Sequence, residues 1–449
     1  MLEAGSLRSK NVVNILLQNI LDSCLSSICY WLLGWGLAYG EDWNGLLGRS
    51  QFLLLGTGPR TSAAWFFQFT FVATGATIVS GALGGRAVFL AYFAYCSAIS
   101  GFVYPVITHW AWAEHGWLRG LGFADFAGSG VVHLHGGVGA LLGALALGPR
   151  VGRFKAPDAM PPHSAPLVTA GGFVLMLGFL AFNGGSQASI TEVGDAAAVA
   201  MAIRNTILCG AFATLTVLFL CKLRTRHWSL LQSVNAVLTG MVAACAGCNT
   251  YSAWASGLVG IGAGIVYLLI SALLPRLSID DPVDAVAVHL GGGLWGLLAA
   301  PLLRSDGLVF AVRSSEAWKG LGANALGAAA IVGWTVATLG PLFTGLRVVG
   351  LLRASDEAQI KGLDLAEHGE EAYPRSSYLY GSSSKEVEEN GGVVNVKSEF
   401  HFMRGAENGA YAAGEDSGGI VDVASEFHYL DHRRPSIGQF RGRTDTAKF

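Results

Sequence analysis

Ten stretches of about twenty mainly apolar residues, each long enough to cross a bilayer as a helix, follow one another along this chain. They lie near 12–38, 62–85, 87–110, 125–148, 166–188, 196–221, 228–247, 252–275, 283–303 and 320–349. Strand-type alternation is absent from them, so helices rather than a barrel must satisfy the backbone. The expected class is therefore an all-α polytopic membrane protein with ten spans. Composition agrees: 52% hydrophobic, 13% charged and a mean hydropathy of +0.46 suit a multispan chain better than a soluble enzyme. Charge is segregated too, since 28 of the 60 charged side chains fall in residues 351–449. That places a membrane domain at 1–350 and a soluble segment after it. A net charge of −2 with no basic run gives no footprint for nucleic acid.

The loops carry an orientation signal. Arg8, Lys10, Arg86, Arg150, Arg153, Lys155, Lys222, Arg224, Arg226 and Arg276 fall on one side, against Arg49, Arg60, Arg119, Arg304, Arg313 and Lys319 on the other. Ten against six puts the first set, and both termini, in the cytoplasm. Residues 1–8 lack a basic region followed by an apolar core, so no cleavable signal peptide is expected. The seven cysteines are scattered and mostly in apolar runs; Cys245 and Cys248 have CxxC spacing without a second pair, so neither a disulfide framework nor zinc is expected. The 61 glycines fit helices that pack closely. Asn14, Asn19 and Asp22 make the first span polar inside, which reads as glue between helices.

Ionisable groups stand out where hydrocarbon makes them costly. Asp125 and His133 are eight residues apart, and His289 lies alone in a second apolar run. Two histidines in distant spans, with no metal-ligand cluster, fit either an intramembrane conduit or two satisfied core histidines. The words around them resemble the signature of the ammonium transporter family (Amt/Mep/Rh). Ser9-Lys10-Asn11 with Asn14 and Asn19-Ile-Leu-Asp22 is similar to that family's second helix. Gly101-Phe-Val-Tyr-Pro105, His109-Trp-Ala-Trp112 and Ala246-Gly-Cys248 resemble its plant and protist branch. Asp280-Asp281-Pro282 before His289, then Trp295-Gly296, is similar to its tenth helix. The likeness extends over residues 2–373.

The resemblance implies a fold of two inverted five-helix repeats plus a final long helix, eleven spans in all, assembled as a homotrimer with one pore per subunit. It implies uptake of ammonium (and methylammonium) at the plasma membrane, with no cofactor and no catalytic residues. Trp112 would stand at the outer vestibule, Phe71 and Phe182 would form a stacked gate with Phe67 one turn away, and Ser186 would accept a hydrogen bond from the ion. His133 and His289 would line the pore. Asp125, which as a bare carboxylate at a helix start could be an N-cap, would act structurally or electrostatically near the vestibule floor, with Asp284 as its counterpart before His289. His109 and His135 are not expected in the pore. Net charge transfer is favoured over a Rhesus-type gas channel, and an ammonium sensor of the same fold is the other alternative. A histidine-metal membrane enzyme would need clustered spacing that is missing.

The chain departs from the family in three places. It starts where the first helix should finish, so a truncated sequence with ten of eleven spans is expected, leaving the first repeat with four. Phe179 stands where tryptophan is common. Ala366 replaces a phosphorylatable threonine in a segment, 351–373, that would dock beneath a neighbouring subunit and couple the pores. Residues 374–449 are polar and glycine-rich, and are expected to be a disordered cytoplasmic tail. Within it, Val394-Asn-Val-Lys-Ser-Glu-Phe-His401 is echoed by Val421-Asp-Val-Ala-Ser-Glu-Phe-His428, either a neutral duplication or a docking peptide for a cytoplasmic regulator used twice. Ser382, Ser383 and Ser384 are candidate phosphorylation sites.

Overall fold

In the computed structural model, residues 1–155 and 160–374 are described; the tail repeat and Ser382–Ser384 lie outside them. A short helix α1 (Leu2–Ser6) precedes nine helices long and apolar enough to span a bilayer. These are α2 (Ser9–Tyr39), α3 (Pro59–Leu83), α4 (Phe89–Gly120), α5 (Ser129–Leu147), α6 (Ala165–Gly185), α7 (Asp195–Thr225), α9 (Ala253–Arg276), α10 (Val286–Leu303) and α11 (Ser315–Val348). The stretch expected at 228–247 is a helix of only 15 residues, α8 (Leu230–Ala244). Ser229 caps its start by accepting from the Gln232 amide, and successive turns over Cys245–Thr250 end it. With α8 counted, the ten expected elements are all present among the described residues. One feature was not anticipated: a hairpin of two-residue strands, β1 (Asp42–Trp43) and β2 (Leu47–Gly48). Its three-residue loop turns on Asn44 and Gly45 at φ of 54° and 72°, after which the Leu46 amide donates to the Trp43 carbonyl at 3.1 Å.

The helices alternate in direction, so that Arg8, Arg86, Arg150 and the segment 351–374 share one end, the basic end. Much of that end is held by a single carboxylate. Asp280 accepts from the Arg150 amide, Nε and Nη2 at 2.8–2.9 Å and from Arg153 Nε at 3.2 Å. Arg86, fully buried, donates to the Asp280 carbonyl at 2.6 Å and to the Gly148 carbonyl at 2.7 Å. The segment after α11 then folds back over this end. Asp364 accepts from the Val12 and Asn14 amides at 2.9 Å each, satisfying donors left free at the start of α2. Arg8 donates to Gln359, and His368 Nε2 pairs with Asn14 Oδ1 at 2.9 Å.

Two helices are wide-turned where they enter the bundle, over Ser129–Leu134 in α5 and Val286–Gly291 in α10. They enter from opposite ends and cross at mid-depth in a reciprocal contact. A Cβ on Gly137 would lie 2.2 Å from the Leu290 amide nitrogen, and one on Gly293 would lie 2.7 Å from the Leu134 amide nitrogen. Each glycine is four residues beyond a histidine, and each leucine one residue beyond, so the halves are related by an inverted pseudo-two-fold axis. Small residues at such crossings let backbones touch.

Two consequences are measurable. Gly137→Ala forces the α5–α10 crossing apart and should cost about 1–3 kcal/mol, read as a lower thermal midpoint in detergent together with reduced transport. Burial alone would raise the Asp280 carboxyl, but the hydrogen bonds and charge of Arg150, with Arg86 behind, hold it well below the usual carboxylate range. Its stabilisation is therefore present above the ordinary value of about 3.9 and declines as pH falls below it. Asp280→Asn leaves buried arginines uncompensated and should cost roughly 3–5 kcal/mol near neutral pH. That deficit should narrow below pH of about 4 in parallel melts of the two proteins.

Candidate functional site

Two cavities lie along the approach to this crossing, and only the smaller reaches it. The larger, of about 1070 Å³, opens at the end away from the basic cluster and is lined by Tyr39, Arg60, Phe67, Phe71, Trp112 and Ser186 among others. The smaller, of about 420 Å³, is lined by His133, His289, Phe179, Thr74, Asn19 and Glu3 among others. Between them the rings of Phe71 and Phe182 stack at 3.9 Å with 20° between their planes. The predicted residues are thus brought together in order. Phe67 lies on the vestibule side, 4.6 Å from Phe71 by ring centroid, and Trp112 meets Phe71 edge-on at 5.7 Å. Ser186 Oγ donates to the Phe182 carbonyl at 2.8 Å, which commits its proton to the helix and leaves its lone pairs for the cavity it lines.

Beyond the phenylalanines the histidines pair directly. His133 Nδ1 and His289 Nδ1 are 3.1 Å apart and the rings are nearly parallel, at 17°. A hydrogen bond between like-named nitrogens requires one ring to donate and the other to accept, so two neutral rings must hold complementary tautomers. His133 Nε2 is buried without a partner. Phe179 stacks on the His133 ring at 5.5 Å and 29°, while Phe182 lies 5.9 Å from it. His135 and His109 are engaged elsewhere: His135 Nδ1 with Thr335 at 3.0 Å, His109 with the Ala38 carbonyl and Asp42.

Asp125 is a cap for the α5 entry. Its carboxylate accepts from the amides of Gly128 (3.1 Å), Gly130 (2.8 Å) and Val131 (2.9 Å), and its carbonyl accepts from the Trp112 indole at 2.7 Å. Burial pushes its carboxyl up to about 6, against the pull of those amides. The Gly130 and Val131 amides share one carboxylate oxygen and the Gly128 amide takes the other, so all three bonds fix the backbone at the α5 entry.

The counterpart in the second half is Asp281 rather than Asp284. Asp281 accepts from the Val286 amide at 2.7 Å and stands eight residues before His289, as Asp125 does before His133. Asp284 sits at φ 60° and instead accepts from the hydroxyls of Tyr267 (2.9 Å) and Ser271 (3.0 Å). The repeated spacing of eight was available in the sequence and would have selected Asp281. Arg60, Arg119, Tyr39 and Gln68 on the vestibule wall had no comparable signal, because each lies in a different element.

With this geometry in hand, comparison with known proteins is unambiguous. The model of the Ammonium Transporter Family matches residues 1–373. The Caenorhabditis elegans protein named "Putative ammonium transporter 1" is 47% identical over 410 residues, covering 85% of this chain and 76% of that protein. Rice ammonium transporter 1 member 1 is 39% identical, covering 83% and 81%. Among solved structures, one described as a sensor Amt protein superposes with a TM-score of 0.76 at 33% identity, covering 82% of this chain and 93% of that one. Candida albicans Mep2 gives 0.71 at 26% identity, covering 85% and 88%. The chain belongs to the ammonium transporter family, and its function is the transport of ammonium across a membrane.

The two aspartates in the α10 entry can be separated by substitution. Asp281→Ala removes a cap and should lower stability by about 0.5–2 kcal/mol, together with methylammonium uptake. Asp284→Asn keeps an acceptor oxygen and suits a positive φ, so uptake within twofold of the parent is expected in the same vesicle assay.

Proposed function

We propose that ammonium is recruited in the Trp112 vestibule, loses its proton before the Phe71–Phe182 stack, and crosses as ammonia along the His133–His289 pair with net transfer of charge. The observation that carries this reading is the 3.1 Å histidine pair directly beyond stacked aromatic rings. Magnitudes favour the neutral form in the narrow path. A ring face contributes about 0.5–2 kcal/mol to a cation, whereas burying an ion costs several kcal/mol even after relaxation. Aromatic attraction therefore suffices to select the ion at the vestibule but not to carry it through the stack.

In this reading Ser186 offers its lone pairs to the ion, Trp112 and Phe67 offer ring faces, and Phe71 with Phe182 forms the gate. The histidines present one donor and one acceptor nitrogen to ammonia, which can use both. Phe179 holds the His133 ring from the side. Asp125 keeps the vestibule floor in place through backbone amides rather than by touching the ion. The working form is a homotrimer in the plasma membrane with the basic end in the cytoplasm. Residues 1–350 form the membrane domain and 351–373 a coupling segment, followed by a cytoplasmic tail open to regulators. Support for this orientation is the excess of Lys and Arg at the end where Asp280 and Asp364 sit.

The test is uptake in cells lacking their own ammonium carriers. His133→Ala and His289→Ala should each lower methylammonium uptake at least tenfold while surface expression persists. His135→Gln, which keeps a partner for Thr335, should stay within twofold. Parental uptake by both alanine variants would remove the histidines from the mechanism.

A further inference from the structure

The charges on the vestibule wall have the wrong sign for the ion it serves. Its ionisable lining consists of Arg60, Arg119 and the phenol of Tyr39, and among the described residues no carboxylate or histidine lines it. Neither arginine is in an ion pair among those residues, whereas Arg49 and Arg304 elsewhere pair with Glu41 and Asp306 at 2.9 Å. Two guanidiniums facing the same water raise the energy of an approaching ammonium ion, an effect that salt confines to about 10 Å. The cavity is also large for that ion. At about 1070 Å³ it falls in the class that holds organic ligands, whereas a water-sized ion needs only ~30 Å³.

The two kinds of group lie close together. Arg119 Nη1 donates to the Trp112 carbonyl at 2.9 Å, which keeps the guanidinium beside Trp112 and leaves its other donors without a hydrogen bond among the described residues. Arg60 is exposed at the first turn of α3, and its guanidinium has no partner among those residues. Trp35 and Tyr39, with rings 4.9 Å apart, extend the aromatic wall formed by Phe67, Phe71 and Trp112. Ring faces attract a cationic head, and a guanidinium presents its N–H groups as a fork that matches a carboxylate. Ser186 adds lone pairs that accept from an N–H, since its own proton is committed to the Phe182 carbonyl. Ammonium uses the rings and Ser186 and is opposed by the arginines. A molecule with both an ammonium head and a carboxylate uses all of them.

We propose that the vestibule is a binding site for small amino acid zwitterions, with the ammonium head against Trp112, Phe71 and Ser186 and the carboxylate on Arg119 and Arg60, and that such a ligand competes with ammonium without being transported. The inference rests on the recruitment of ammonium at these rings proposed above. The head of the zwitterion stands where ammonium stands, so one excludes the other. The ligand goes no further for an electrostatic reason. Deprotonating its head leaves the full charge of the carboxylate, which the Phe71–Phe182 stack, with rings 3.9 Å apart, does nothing to neutralise. Both arginines are exposed, so water screens their pairing with the carboxylate and the affinity falls in the millimolar range.

The test is uptake of labelled methylammonium by the full chain in vesicles, with each competitor at equal concentration on both faces. β-Alanine and γ-aminobutyrate are the zwitterions; ethylamine and propylamine match their chains but lack the carboxylate. The expected result is that both zwitterions raise the apparent KM for methylammonium without lowering the maximal rate, and that neither enters the vesicles when supplied labelled from outside. Arg60→Gln and Arg119→Gln should each weaken zwitterion inhibition at least threefold, and Arg119→Lys should recover part of it, while the amines compete as well as in the parent. Zwitterions that leave uptake unchanged while the amines compete overturn the proposal. So does their entry into the vesicles, or inhibition at parental strength in both glutamine variants. Loss of amine competition as well in Arg119→Gln means that Trp112 has moved, and Arg60→Gln, which breaks no bond among the described residues, then decides. If the amines do not compete even with the parent, recruitment of ammonium in this vestibule fails first and the inference falls with it.

Discussion

Everything at the centre of this protein depends on two backbones touching. Gly137 and Gly293 admit the Leu290 and Leu134 amides to distances that no side chain would allow. Because each histidine lies one turn before its glycine, the same contact brings two imidazoles from distant spans to 3.1 Å. The wide turns over Ser129–Leu134 and Val286–Gly291 enter this crossing from opposite ends, and such turns are common at functional positions. Each turn leaves amides without helical partners, and a carboxylate eight residues before the histidine takes them up: Asp125 takes three, Asp281 one. The cap, the wide turn, the histidine and the contact glycine therefore form one device, present twice and inverted.

The basic end solves a different problem. Arg86 and Asp280 are fully buried, and desolvation would make either alone prohibitive. Shared between Arg150, Arg153 and the Gly148 carbonyl, they tie the turn after α5 to the loop before α10. These are the two helices whose crossing sets the histidine pair. The returning segment adds Asp364 under α2 and Arg353 under the Leu147 and Pro149 carbonyls. A change in that segment is thus mechanically close to α2 and α5, although it lies far from the vestibule.

Much of this was legible in the sequence, for physical reasons that also mark where it stopped. Ten apolar runs declared the spans because hydrocarbon tolerates nothing else, and α8 came out short only because the turn after Ala244 carries no charged residue to announce it. Trp112, Phe67, Phe71, Phe182, Ser186, His133 and His289 were found through motif words, and the fold sets them in one column. Asp284 was chosen for its closeness to His289, whereas helix capping depends on register, which points to Asp281. The β1–β2 hairpin has strands too short to show alternation. The vestibule arginines were invisible because nothing local links Arg60 with Arg119.

The polar residues of α2 show how one sequence feature supports opposite readings. In water, a helix hides apolar side chains and exposes polar ones; α2 does the reverse, and a few polar groups between helices would serve as adhesive. Adhesion, however, requires that the groups find each other. Ser26 and Ser100 do, at 2.8 Å, whereas Gln18, Asp22, Tyr92 and Tyr95 are buried together with looser contacts. Unsatisfied polar atoms in hydrocarbon cost free energy that glue alone does not return.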